Sequence, residues 1–333
     1  MVEQVEPTVR AQDFESATDP FRREITAHCY RMLGSVHEAE DLVQETYIRA
    51  WRAYDRFEGR SSVRTWLHRI ATRTCLTALE NRERRPLPTG LGGPTSTPEG
   101  QLESRTDVPW LEPAPDDKVG VADDTDPGTV VTSRESVRLA LVAALQYLPP
   151  RQRAVLVLRD VLSFRAAEVA EILELSTAAV NSLLQRARAQ LAEVTPAAED
   201  TAEPDTAQQR ALLDRYVTAF ENYDIPALVD LFRADAVWEM PPFVTWVRGA
   251  DAIGRLIDAQ CPAERPGDLL LVPTAANGQP AFGVYERTGD GKHEPFQIQV
   301  LQLHGARVGH VATFFDTSLF STFGLPPTPP HRA

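Results

Sequence analysis

Helical periodicity dominates the first part of the chain. In EAEDLVQETYIRAWRAY, the residues Ala39, Val43, Thr46, Tyr47, Ala50 and Tyr54 recur at helical spacing and share one stripe. Glu38, Asp41, Glu45, Ile48, Arg49 and Arg52 fall on the opposite face. A short loop containing Gly59 follows. Ser61 or Ser62 can cap the next helix, VRTWLHRIATRTCLTALENRERR, because a serine oxygen accepts from the free amides of a first turn. Its predicted core stripe is Val63, Trp66, Leu67, Ile70, Thr74 and Ala78. Arg64, His68 and Thr72 stack on the far side, and Arg69 and Arg73 flank the stripe.

Further along, Pro149 and Pro150 interrupt one helical pattern and open another, since proline is tolerated in a first turn. A helix near Arg165–Leu173 meets the turn Glu174-Leu175-Ser176, and a second helix runs from Thr177 to about Ala192. Two helices joined in this way form a helix-turn-helix signature. Val180, Leu183, Leu184, Ala187 and Leu191 face its core, leaving Ala178, Asn181, Ser182, Gln185 and Arg186 toward a major groove. The pattern changes after residue 208. Two helices, LLDRYVTAFENYD and IPALVDLFRADA, precede AVWEMPP, a helix at ADAIGRLIDAQ, and strand-like runs near 268–274, 280–287, 294–303 and 307–316. Phe296, Ile298 and Val300 alternate with Gln297 and Gln299, as a sheet with one covered face requires. The expected fold is therefore multidomain: two all-α modules and a C-terminal α+β domain.

A chain of 333 residues exceeds one ordinary core. The folded units are expected at 12–86, 129–194 and 208–325, separated by connectors at 87–128 and 195–207. The first connector is dense in proline, glycine and acid and is read as largely disordered in isolation. The net charge of −13 argues against nucleic acid only as an average. Arginines 56, 60, 64, 69, 73, 82, 84 and 85 face only Glu58, Glu80 and Glu83 across that stretch, whereas from Glu99 to Asp126 acids prevail. Lys118 and Lys292 are the only lysines. Cys29, Cys75 and Cys261 show no paired spacing, which fits reduced thiols and neither a disulfide framework nor a metal knuckle. No apolar run approaches the roughly 18 residues of a membrane span, and the polar N-terminus is not a secretory signal. A cytoplasmic protein without metal or cofactor is expected.

The strings EAEDLVQETYIRAW, FEGRSSVRTWLHRIATRTCL, LPPRQRAVLVLRDVLSFRAAEVAEIL and STAAVNSLLQRARAQL, in that order, resemble regions 2 and 4 of sigma factors of the extracytoplasmic-function class. The segment LLDRYVTAFENYDIPALVDLFRADAVWEMPP onward resembles a SnoaL-like cone fold. The chain lacks the Asn-Pro-Asp-Lys-Leu type of ending found in one subgroup with such an extension. The resemblance implies docking of Glu38, Asp41, Gln44, Glu45 and Arg49 on the β′ coiled coil of core RNA polymerase, with the β subunit as a further contact. It implies engagement of the −10 element by Arg60, Ser61, Arg64, His68, Arg69, Arg73, Arg82, Arg84 and Arg85. Basic side chains would hold phosphates of the melted strand, and an aromatic ring could stack on a base. It assigns the −35 element to Ser176, Thr177, Asn181, Ser182, Gln185, Arg186 and Arg188, where amides read adenine and guanidinium groups read guanine or phosphate. Trp66, being on the stripe, is read as core. Glu174, Asn181 and Leu183 depart from the commoner pattern and deplete the basic face.

In the third unit Tyr223, Trp238, Met240, Trp246 and Phe296, with Phe282, are expected to line a pocket, with Glu239, His293, His310 or Asp316 as polar contacts. A small-molecule ligand, or a separate anti-sigma protein, remains open as a partner. No carboxylate–histidine pair has a spacing that compels catalysis, so the expected activity is not enzymatic. A free-standing repressor would leave the 38–75 string unexplained. A cyclase- or isomerase-like enzyme would require turnover by the isolated C-terminal unit. The initiation factor accounts for both helical modules, with the extension modulating them in cis.

Overall fold

Capping chemistry sets the helix boundaries of the N-terminal half. The computed structural model describes residues 9–119, 136–194 and 206–330. Helices α1 (Val9–Thr18), α2 (Arg22–Leu33), α3 (Val36–Ala53) and α4 (Val63–Ala78) form the first module. Gly34, at φ 71°, ends α2 in the left-handed conformation that glycine adopts without a Cβ clash. Ser35 then caps α3 by accepting from the Glu38 amide at 3.1 Å, and Ser62 caps α4 by accepting from the Thr65 amide at 3.0 Å. The expected stripe of α3 is buried apart from Tyr54, which sits half-buried in the short turn beyond the helix. Helix α1 lies largely ahead of the expected first element. Its Phe14 is buried edge-on to Trp51 and Tyr54, both at 5.2 Å.

The second module contains α5 (Leu139–Leu145), α6 (Pro150–Leu156), a π turn at Val157–Val161, α7 (Ala166–Leu173) and α8 (Thr177–Val194). Glu168 accepts from the Arg165 amide at 2.8 Å and closes the start of α7. Val169, Ile172, Val180, Leu184 and Ala187 join Leu145, Leu148 and Phe164 in one core, and Leu183 and Leu191 pack at its edge. These modules belong to one compact unit, built from the chain up to Arg84 and from Asp117 to Pro196.

The other unit combines Arg85–Asp116 with Ala197–Ala333. It holds α9 (Thr206–Glu221), α10 (Ile225–Leu231) and α11 (Ala250–Gln260) against a six-stranded sheet, which ends near the short helix α12 (Leu319–Thr322). The strands are β1 (Phe232–Glu239), β2 (Trp246–Arg248), β3 (Leu269–Ala276), β4 (Gln279–Arg287), β5 (His293–His304) and β6 (Arg307–Phe314), in the order β2-β1-β6-β5-β4-β3. Neighbours are antiparallel except β1 and β6, which run parallel. The helix expected over IPALVDLFRADA stops at Leu231. From Phe232 the chain is strand, and a register irregularity between Phe232 and Val237 had disguised the alternation.

Residues 85–116, read from composition as a connector largely disordered in isolation, are held by the C-terminal unit. The Thr89 amide donates to Glu239 Oε2 at 2.9 Å, and the Trp246 indole donates to the Gly92 carbonyl at 3.0 Å. The Thr95, Arg105 and Val244 amides form further links to the carbonyls of Trp246, Pro242 and Glu103. Ala114 and Asn277 exchange two hydrogen bonds, at 2.9 and 3.0 Å, and Asp116 accepts from the Gly278 amide at 2.7 Å. Leu87, Leu111 and Ala114 are buried. A proline-rich stretch lacks amides for a regular ladder, but it can be held by the polar groups of a domain far along the chain. That dependence on residues 150 positions away hides it from local composition. The connector at 195–207 lies almost wholly outside the described residues, as do the start of the second module near 129 and the end of the first connector.

Candidate nucleic-acid interface

Helix α8 presents one open face. Ser176, Thr177, Asn181, Ser182, Gln185, Arg186 and Arg188 are all exposed, while Val180, Leu184 and Ala187 are buried behind them. Ser176 caps the helix, accepting from the Ala179 amide at 3.2 Å. The Arg188 guanidinium forks onto Asp160 at 2.8 and 2.7 Å, so it is positioned by an acid of its own module. Asn181, Gln185 and Arg186 lie in the middle of the exposed face, with Arg186 Nε donating to the Ser182 carbonyl at 3.4 Å.

The arginines of α4 are placed differently. Arg64 Nε donates to Glu24 at 2.7 Å and its Nη2 to the Leu162 carbonyl at 2.9 Å, with its plane 4.1 Å over the Phe164 ring. Arg69 Nη1 lies 3.5 Å from Glu171, and Arg73 pairs with Glu174. Glu24 belongs to α2, but Glu171, Glu174 and the Phe164 ring belong to the second module, so α7 and the turn after it cover this face of α4. Arg84 stacks 4.2 Å over Tyr147. Arg82 donates to Glu38 at 2.7 Å, and Arg85 to the Trp110 carbonyl at 2.9 Å. Arg60, beside Glu58, and Ser61 remain on the loop before α4.

His68 is not available for base stacking in this arrangement. It is 0% exposed, edge-on to His28 at 5.1 Å and to Phe164 at 5.0 Å, and hydrogen-bonded to Glu24 at 2.6 Å. Thr72 on the same face is bonded to His28 at 2.9 Å. The side of α4 away from its apolar stripe is covered twice, by α2 and by the second module, which a single-helix periodicity cannot reveal. Trp66 is buried at the core, as its stripe position predicted. Burial would raise the Glu24 carboxyl, but hydrogen bonds from His68 and Arg64 overcome it and lower it from 4.5 to about 2. Burial holds His68 below its ordinary value despite that bond. Cys29 and Cys75 are buried together, and the hydrogen bond between them and their burial keep the Cys75 thiol well above the ordinary range.

On α3, Asp41, Gln44 and Arg49 are exposed, and Glu38 and Glu45 are half-buried. Arg49 pairs with Glu45 at 2.6 Å, and Lys118 pairs with Glu40. Ile48 is 45% exposed in the middle of this charged face. Helical spacing already puts Ile48 on the face opposite the apolar stripe, where an apolar side chain is unusual.

The expected aromatic pocket is divided between the two faces of the sheet. Trp238, Met240 and Phe282 are buried in the core beneath the helices, with Tyr223 and Phe296 packed at its edge. Trp246 lies outside that core and pairs across β2 and β1 with Glu239. Glu239 Oε1 meets His310 Nε2 at 2.7 Å because parallel pairing brings β1 beside β6. This carboxylate–histidine pair, 71 residues apart, was invisible to spacing. Glu239 is fully buried, and its other oxygen is occupied by the Thr89 amide. His293 instead bonds to the Gly267 carbonyl at 2.9 Å, and Asp316 to Ser318.

A helix-turn-helix joined to a second helical module, with an α+β extension, defines a modular DNA-reading protein. Family comparison is specific on each part. Sigma-70 region 2 matches residues 19–85, sigma-70 region 4 matches 138–191, and a SnoaL-like domain matches 213–315. The chain is 60% identical over 319 residues to the ECF RNA polymerase sigma factor SigG of Mycobacterium tuberculosis (strain ATCC 25618 / H37Rv), covering 95% of this chain and 85% of that one. It is 31% identical over 248 residues to SigJ of the same organism, across 73% of this chain and 71% of SigJ. The crystal structure of Mycobacterium tuberculosis SigJ shares the fold, with a TM-score of 0.59 at 24% identity, over 93% of this chain and 99% of that one. The chain belongs to the extracytoplasmic-function sigma factors of RNA polymerase. It binds core polymerase and promoter DNA and directs promoter-specific initiation; it is not an enzyme. Among the described residues no helix is long and apolar enough to cross a membrane.

Proposed function

We propose that this sigma factor rests in a closed form and that its C-terminal domain modulates opening in cis. The carrying observation is that residues 85–116, which link region 2 to region 4, fold as part of the C-terminal unit. Any change that releases them frees 32 residues of chain between the modules. Fully extended, that is about 110 Å of reach. The domain is tethered, so its grip on the segment acts at an effective concentration of order millimolar. It supplements or replaces a separate anti-sigma protein.

In the open form, Glu38, Asp41, Gln44, Glu45 and Arg49 dock on the β′ coiled coil, with Ile48 as an apolar anchor among them. Arg60, Ser61, Arg64, Arg69 and Arg73 hold the melted −10 strand, while Arg82, Arg84 and Arg85 guide the flanking phosphates once released from their present partners. The exposed face of α8 reads the −35 element. The setting is the cytoplasm, where the polymerase acts. The domains divide at 12–86, 129–194 and 208–325, with residues 87–116 of the connector a structural part of the last.

Run-off transcription with purified core polymerase tests the proposal. The full chain is compared with a truncation ending near residue 207 and with Asn277→Gly, which weakens the grip on the segment without deleting the domain. Altered activity in both is expected. Equal activity of all three at every promoter tested rules out modulation in cis.

A further inference from the structure

Glu174 is a non-glycine residue in the left-handed conformation, at φ 54° and ψ 49°. Only glycine enters that region without a steric penalty. The turn between α7 and α8 therefore keeps a strained side chain where none is needed to make the bend. That side chain pairs with Arg73, and Glu171, one turn earlier on α7, pairs with Arg69 at 3.5 Å. Two carboxylates of region 4 thus stand on two guanidinium groups of region 2.

We propose that Glu171 and Glu174 act as surrogates for DNA phosphates, so that the region 4 turn and the melted promoter strand compete for Arg69 and Arg73. A guanidinium fork accepts a carboxylate and a phosphate with the same geometry. All four side chains are partly exposed, with relative exposures of 34% and 49% for the first pair and 48% and 73% for the second. Exposed pairs are weak, at most about fivefold each in an equilibrium constant. The decoy is therefore displaceable. Closure itself rests on the buried contacts of His68, Arg64 and Phe164, while the two acids determine how far DNA must outcompete the closed form. The cost is placed at the residues that a single strand must reach. The proposal rests on the reading that Arg69 and Arg73 face DNA.

The test is a double-mutant cycle on the full-length chain, read as affinity for a fluorescein-labelled single-stranded DNA 20-mer of mixed sequence. Its corners are wild type, Glu171→Gln/Glu174→Gln, Arg69→Gln/Arg73→Gln, and the quadruple variant. The acid-to-amide variant should bind about 2- to 25-fold more tightly. Its log–log salt dependence should steepen by about 1.4 if two more phosphates are neutralised. In the quadruple variant that gain should vanish, because the decoys then have nothing to cover. A gain that persists without the arginines is a general charge effect and overturns the decoy. No gain at all from the acid-to-amide variant overturns it too, provided the arginine variant weakens binding. If the arginine variant leaves binding and salt dependence unchanged, the reading of Arg69 and Arg73 as DNA contacts fails instead, and the decoy falls with it. Glu193→Gln, an exposed acid at the end of α8, controls for the change in net charge. Far-ultraviolet circular dichroism confirms that each variant is folded.

Discussion

Replacing Asn277 by glycine should loosen the segment 85–116 without unfolding the domain that holds it. Asn277 sits at φ 57° in the turn between β3 and β4, is fully buried, and accepts from the Ala114 amide through Oδ1 at 2.9 Å. Glycine tolerates the same φ, so the backbone bond from the Asn277 amide to the Ala114 carbonyl is kept. The Oδ1 acceptor is lost, leaving the buried Ala114 N–H without its partner. That loss costs about 1–3 kcal/mol, or roughly a 5- to 150-fold rise in local opening. Hydrogen exchange followed by mass spectrometry resolves it. Peptides spanning residues 86–116 should be protected in the wild type, and in the variant the peptide containing Ala114 should exchange faster by that factor. Peptides of β5 and β6 should be unchanged. Exchange of 86–116 at the rate of an unstructured chain in the wild type would refute docking of the segment. A variant indistinguishable from wild type would show that Asn277 is not an anchor.

Three further outcomes follow from the geometry. Because Glu24 is depressed in the folded state, its contribution is present above about pH 4.5 and is lost as pH falls toward 2; Glu24→Gln should flatten that acid limb of the urea-unfolding curve by about 1–3 kcal/mol, allowing for partial solvent screening. Ile48→Asp should weaken binding to core polymerase at least about tenfold in a competition assay, with no loss of thermal stability, since the side chain is exposed in the free protein. Asn181→Ala with Gln185→Ala should lower transcription from −35-dependent promoters by about 5- to 100-fold per lost base contact while sparing single-strand binding; equal transcription would remove α8 from the readout.

What was legible in the sequence were elements that carry their own signal. Helix α3 buries its expected stripe apart from Tyr54, and the caps and Trp66 were found. On α4 only Trp66, Leu67 and Thr74 of the expected stripe are buried, with Val63, Ile70 and Ala78 half-buried. The turn and helix α8 were found because apolar and polar faces alternate cleanly on a surface helix. Strands β3 to β6 were found as apolar runs, but β5 does not show the single covered face expected of it, because Gln297 and Gln299 are buried as fully as Ile298 and Val300. The misses are non-local. His68 lies on a polar face by spacing, yet two other elements cover it. Glu239 and His310 meet only because β1 and β6 run parallel. The pocket residues were collected by type, whereas strand alternation sends Trp238 to one face of the sheet and Trp246 to the other. For 85–116, composition describes what the segment does alone, and its fold depends on acceptors supplied by β1, β2 and the turn after β3.

The distribution of partners also resolves the tension between a net charge of −13 and a DNA-reading role. A free chain with eight unpaired arginines around α4 would bind nucleic acid wherever it met it, because non-specific affinity follows the number of phosphates neutralised. In the closed form Arg64, Arg69, Arg73, Arg82, Arg84 and Arg85 all have partners within the chain. The arrangement also explains the reliance on arginine. Arg64 meets a carboxylate, a carbonyl and an aromatic face at once, which a planar guanidinium can do and an ammonium cannot. A DNA strand alone has to displace these contacts, whereas under the docking proposed above polymerase would first use the separate face on α3. Only a partner with different affinities for the closed and open forms shifts their populations. Core polymerase, by engaging α3 and separating the modules, would expose the arginines where a promoter is already at hand.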